Sequence, residues 1–305
     1  MLKKLFIIVT FFILYSCSKS SNSTTPENIN TDTLFTDVIK VEVSEYPQFY
    51  TRLSFSCCLN VIWGDGLINN YPTLNQTDGY RDSTGSINHR YTGNLSNNHR
   101  YFLKFSGKGI TYFATGGISS GGIDTVYMVP VLDVSGCPSL NTLYCSYSKT
   151  QYINVRNCLK LTHLTCPVNK LDTINLLTNK QLTYLDCNNN NIFELNLKEN
   201  QLLYDINCSY NRLTELSLIN HKFLNSLNCS NNNLTELKIL STSNVNQIDC
   251  SNNKLTSATL NNIFDSLPVN KYNSNSLKIY IKNNPGTLSC DPLIANRKGW
   301  SVYTN

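Results

Sequence analysis

Six cysteines, Cys145, Cys166, Cys187, Cys208, Cys229 and Cys250, recur at a constant interval of 21 residues. Thiols at fixed spacing can bridge, hold a metal or pack as small hydrophobes, and the choice depends on where each side chain points. Each closes a run such as Leu182, Leu185, Cys187, in which strand alternation turns the cysteine inward with the leucine two before it. Stacked coils would set equivalent thiols about 4.8 Å apart, the spacing of neighbouring strands. Side chains in register run parallel, so a disulfide with its torsion of about 90° would be strained. A linear column also lacks the tetrahedral cage of a metal site. The expectation is a buried, reduced column of compact side chains, with no metal and no cofactor.

The residues alternating with that column would face outward and form the surface a ligand meets. Across successive rungs they read Thr142 and Tyr144, His163 and Thr165, Tyr184 and Asp186, Asp205 and Asn207, with small polar residues after that. Asp186 and Asp205 are one outward position apart on adjacent rungs, a diagonal of about 8 Å. That falls within the separation of the two carboxylates of an inverting glycosidase. The face is open, however, nothing beside the pair would raise one pKa, and no nucleophile accompanies them. The chain is therefore expected not to be an enzyme; a carbohydrate-active enzyme using Asp186 and Asp205 is the remote alternative. Tyr144, His163, Tyr184 and Asp186, with Asp205 beside them, are the expected contact group for a protein or glycan ligand. Two tyrosines two rungs apart would form an aromatic platform of about 9.6 Å. A scaffold without a dedicated ligand is the other reading.

These side chains are positioned by a repeat, L-x-x-L-x-C-x-x-N-x-L-x-x-L-x-L, seen in Leu182, Leu185, Cys187, Asn190, Ile192, Leu195 and Leu197. An asparagine column runs Asn169, Asn190, Asn211, Asn232, Asn253, with Ser148 in that slot of the first unit. Its amides can pair with backbone groups where the chain turns a corner. A fixed period of this length and grammar is the leucine-rich-repeat signature, one strand per stacked coil. Cys137 and Cys158, also 21 apart, fall at the turn before each repeat, nearer the surface, where they are bridged or simply reduced. Leu260, Ile263, Phe264 and Leu267 then give a helical spacing stopped by Pro268. A last rung at Ile279-Tyr280-Ile281 brings Asn284, and Trp300 is expected to cover the end of the core.

At the start, Lys3 and Lys4 precede an apolar run too short to span a bilayer, which reads as a signal peptide over 1–16. Leu14-Tyr15-Ser16-Cys17 resembles the lipobox of bacterial lipoproteins, which would make Cys17 the lipidated first residue; a plain secretory signal or a short anchor is the alternative. Residues 17–34 are polar and suit a flexible tether. Within 35–109, Trp63-Gly64-Asp65-Gly66 and His89-Arg90-Tyr91 resemble the signatures of polycystic-kidney-disease-type (PKD-like) domains. The fold expected is mainly β: a PKD-like β-sandwich, a leucine-rich-repeat solenoid of parallel strands over 110–256, and a helix-containing cap over 257–305. The formal charge of +5 falls to +3 (5 minus 2) without Lys3 and Lys4, and the cations form no run, so nucleic acid is not an implied partner. The order of parts resembles surface leucine-rich-repeat lipoproteins of Gram-negative bacteria, distantly similar to internalins. That resemblance implies export, a lipid anchor in the outer membrane facing the surface or periplasm, and a monomer serving in binding or adhesion.

Overall fold

The computed structural model describes residues 37–44, 48–54, 57–62, 68–71, 85–90, 100–116, 128–239, 244–269 and 277–305. The readings at residues 1–34, Cys17 included, at Trp63-Gly64-Asp65-Gly66 and at Tyr91 lie outside them.

One short strand per coil builds a long parallel sheet. Tyr112–Gly116, Thr142–Ser146, His163–Thr165, Tyr184–Asp186, Asp205–Asn207, Ser226–Asn228, Gln247–Asp249, Lys278–Tyr280 and Ser301–Tyr303 follow one another in register. Parallel strands need a long return, and here the rest of each coil supplies it. On the far side, among the described residues, Glu215–Leu218 and Glu236–Ile239 form a regular ladder, and Thr173 and Glu194 a single bridge. The chain is a mainly β, leucine-rich-repeat solenoid with few helices.

The core is the strip of inward residues. Leu164, Leu185, Ile206, Leu227 and Ile248 are buried beside the six cysteines, each of which is 0% exposed. All six carry free thiols. Burial is the largest influence on the Cys208 thiol and pushes its pKa up to about 12, so it stays protonated and unreactive. Cys208→Ser should destabilise the fold by about 1 to 3 kcal/mol, because a buried hydroxyl loses more on leaving water than a thiol. Urea unfolding checks this; thiol labelling of the native protein should spare the whole column.

Cys137 and Cys158 depart from expectation, for both are 0% exposed. The reason is a pair of linked turns. Cys158 N donates to Val155 O at 3.1 Å and Leu161 N donates to Cys158 O at 3.1 Å, which turns the central side chain into the coil. There Cys158 Sγ donates to Val134 O of the previous rung at 3.1 Å. The column continues with Asn179, Asn200 and His221, all buried. Asn200 Nδ2 donates to Leu176 O and Asn179 O at 3.0 and 2.9 Å, so each amide clips its own coil to the one before.

His221 makes this corner sensitive to acid. Its Nε2 is buried without a partner, and burial, the leading cause, holds its pKa below the ordinary 6.5. The unfolded chain therefore takes up this proton before the folded chain does. Stability is complete above about pH 6.5 and falls on acidification toward the lowered folded pKa, by up to about 1.4 kcal/mol per pH unit. His221→Asn, the residue two earlier coils use here, should flatten that slope by one proton. Denaturation midpoints at about pH 7.5 and 5 measure it; an identical slope in the variant would assign the acid response elsewhere.

At the amino end the long sheet does not stop. Gln48–Ser54 pairs antiparallel with the outer edge of Tyr112–Gly116, and Gly85–Arg90 pairs with Gln48–Ser54, which completes eleven strands. A second sheet of six strands runs Tyr152–Asn154, Met128–Gly136, Asp37–Ser44, Arg100–Lys108, Cys57–Ile62 and Ile68–Tyr71. Phe105 and Phe113 join the two sheets edge to face, centroids 5.7 Å apart. At the other end the helix Ser257–Ser266 is capped by Thr256, whose Oγ1 accepts from Thr259 N at 3.2 Å, and it buries Leu260, Ile263 and Phe264 as its spacing predicts. Trp300 is 2% exposed, and its Nε1 donates to Pro268 O at 2.9 Å. That closes the core.

Candidate ligand-binding face

The outward face is held by the asparagine column. Asn190 Nδ2 donates to Cys166 O of the previous coil at 3.1 Å and to Cys187 O of its own at 3.0 Å, while its Oδ1 accepts from Leu171 N at 3.0 Å. Asn211, Asn232 and Asn253 repeat the pattern, and Asn284 repeats it in the cap. This is the backbone-pairing role read from the sequence. The residue before each asparagine takes a positive φ, even Val168 at 54°, a conformation that β-branched residues rarely adopt.

The register places the expected contact residues on two columns. His163 lies opposite Tyr184, which lies opposite Asp205; Tyr144 lies opposite Thr165, which lies opposite Asp186. Tyr144 and Tyr184 therefore do not form one platform two rungs apart. Tyr184 is the first residue of its strand, whereas Tyr144 is the third. Each meets a different ring. Tyr184 lies 5.9 Å from His163 at an interplanar angle of 21°, and Tyr144 lies 5.7 Å from Tyr112 at 48°. Thr162 Oγ1 is 2.9 Å from His163 Nδ1 and steadies that ring.

Asp186 and Asp205 sit diagonally on adjacent rungs, as their spacing implies. Asp186 is less available than expected, because its Oδ1 accepts from Asn188 N at 3.2 Å and from Asn188 Nδ2 at 2.5 Å. Asn207, Asn228 and Asp249 below it likewise accept from the backbone N two residues on, at 3.3, 3.1 and 3.0 Å. These are Asx turns that end each strand. The D/N-x-N/S spacing at 186–188, 207–209, 228–230 and 249–251 announces them. Asp205 Oδ1 accepts from Asn225 Nδ2 at 3.5 Å. Partial burial, then Asp186 and Asp205, raise the Tyr184 pKa, so its hydroxyl stays a donor.

Two exposed or part-exposed tyrosines near this face were not expected as contact residues. Tyr112 precedes the regular repeat, so no period flags it. Tyr204, 50% exposed, stands one residue before the strand Asp205–Asn207. Among the described residues no three His, Cys, Asp or Glu side chains converge to hold a metal.

Parallel register, a 21-residue coil and an asparagine ladder along one corner define a leucine-rich-repeat fold. No family model matches the chain, and no curated protein matches it in sequence. Solved structures of the same fold class do. The functional domain of InlJ from Listeria monocytogenes, described as including a cysteine ladder, matches at 24% identity over 58% of this chain and 46% of that one, with a TM-score of 0.34. The internalin InlF from Listeria monocytogenes matches at 19% identity over 57% and 54%, with a TM-score of 0.37, and the leucine-rich-repeat domain of APL1B at 19% over 56% and 49%, with a TM-score of 0.43. The chain spans about half the length of each of these proteins.

Proposed function

We propose that the protein is a non-enzymatic binding module that holds a protein or glycan ligand on the outer face of the long sheet, at its early rungs. The observation that carries this reading is two aromatic pairs, the tilted Tyr112 with Tyr144 and the stacked His163 with Tyr184, on a backbone that bonds each rung to the next. Aromatic rings on rigid strands bury area at little entropic cost, and hydroxyls and the imidazole edge supply polar contacts. Catalysis fits poorly, since Asp186 is engaged at the strand end and neither carboxylate lies in a buried pocket. The lipid at Cys17, outer-membrane anchoring and the PKD-like character of residues 35–109 belong to the same proposal; they rest on the sequence motifs.

Replacing both Tyr144 and Tyr184 with alanine should weaken a ligand found by pull-down or glycan array by at least about tenfold, with a near-unchanged melting temperature. Normal binding by a folded double variant would reject this face as the site.

A further inference from the structure

The buried column Cys158, Asn179, Asn200 and His221 fixes a series of like turns along one edge of the solenoid, and the exposed residues of those turns combine cations with large apolar side chains. Arg156, Lys160, Lys180, Lys198 and Lys222 are all exposed there. Glu199 is the acid of these turns, and it pairs with Lys180 at 3.1 Å. Asp186, Asp205, Glu215 and Glu236 lie instead on the two strand faces. Between the cations stand large apolar side chains in water: Leu159 is 56% exposed, Leu177 38%, Ile219 45% and Phe223 53%.

We propose that this edge docks on an anionic lipid bilayer. The charge complements an acidic headgroup layer, and the apolar side chains, on the first, second and fourth of these turns, reach the acyl boundary beneath it. The composition argues against the other polyanions and partners. A soluble acidic polysaccharide would leave four exposed apolar side chains without use, and protein interfaces are depleted in lysine, which supplies four of the five cations here. Lysine stems also lie along apolar surface with the ammonium in the headgroups, so the two residue types cooperate. The surface is distinct from the aromatic face proposed for the ligand and does not depend on it.

The test uses the full chain carrying Cys17→Ser, so that no acyl chain contributes, in co-sedimentation with phosphatidylcholine vesicles with and without phosphatidylglycerol. Binding is expected only with phosphatidylglycerol, weakening at high salt. Each cation near an anionic surface contributes about fivefold in partitioning, so Lys180→Glu with Lys198→Glu and Lys222→Glu should cost at least about a hundredfold. Leu159→Ser with Phe223→Ser should cost about tenfold at unchanged charge. Lys170→Glu with Lys254→Glu, on the opposite edge, and the Tyr144 and Tyr184 alanine variant should bind vesicles normally. If the triple reversal fails to fold, Lys198→Gln with Lys222→Gln replaces it. Binding indifferent to phosphatidylglycerol would overturn the proposal, as would equal losses from both edges. So would capture of soluble anionic polysaccharide or of an acidic protein with the Leu159 and Phe223 variant unaffected.

Discussion

Asn211→Ala should lower the unfolding free energy by about 3 kcal/mol while leaving the apolar core intact. Asn211 Nδ2 donates to Cys187 O, Cys208 O and Ser209 O at 3.0, 3.1 and 3.2 Å, and Oδ1 accepts from Ile192 N at 2.9 Å. Alanine removes all four contacts at once and strands a buried donor and buried acceptors on two neighbouring coils. Asn211→Asp keeps the acceptor for Ile192 N but loses the donors, and it brings a charge among carbonyl oxygens. It should be at least as damaging at neutral pH and recover partly on acidification, as its carboxyl protonates. Urea unfolding followed by circular dichroism reads both. A loss below about 1 kcal/mol for the alanine variant would mean that water replaces the amide at this corner.

Trp300→Ala should cost about 3 to 5 kcal/mol, the range for removing a buried large aromatic side chain. Its location also decides how the loss spreads. Trp300 sits at the last rung with Ile279, Ile281 and Ala295 in the core beneath, so its removal opens the end of a stack in which each coil is held by its neighbours. Hydrogen exchange should quicken first in 278–303 and least in the rungs around Cys166 and Cys187. Uniform loss of protection along the solenoid would show that the whole chain unfolds as one unit.

What repeats in residue type was legible from the sequence, because every coil enforces it: the inward cysteines and the asparagine corner; the cap helix was legible from its own apolar spacing. The second corner was hidden by a change of type. Cys158, Asn179, Asn200 and His221 share a position and a capacity to hydrogen-bond, but no common letter, so the cysteines alone looked like surface turn residues. The binding face was legible as a set of outward residues but not as an arrangement. Which tyrosine meets which ring depends on whether it stands first or third in a three- to five-residue strand, and Asp186 is committed to the strand end by Asn188, two residues away. Ile110-Thr111-Tyr112-Phe113 is legible as a first rung, and Tyr112–Gly116 does pair with Thr142–Ser146, but it lies outside the 21-residue period, and nothing in its sequence marks the second pairing, with Gln48–Ser54.

The cap coil shows where such a chain can change length over evolutionary time. Leu255 N reaches Asn284 Oδ1 across 29 residues, whereas Leu234 N reaches Asn253 Oδ1 across 19, so this coil carries ten more. The additional residues lie on the return side, where the helix Ser257–Ser266 takes the place of a back strand, while the strand Lys278–Tyr280 still pairs in register with Gln247–Asp249. Descendants of this gene can therefore gain or lose whole coils, or lengthen a return, without disturbing the ladder. A single residue added between a cysteine and its asparagine has no such refuge, and indels there should be purged.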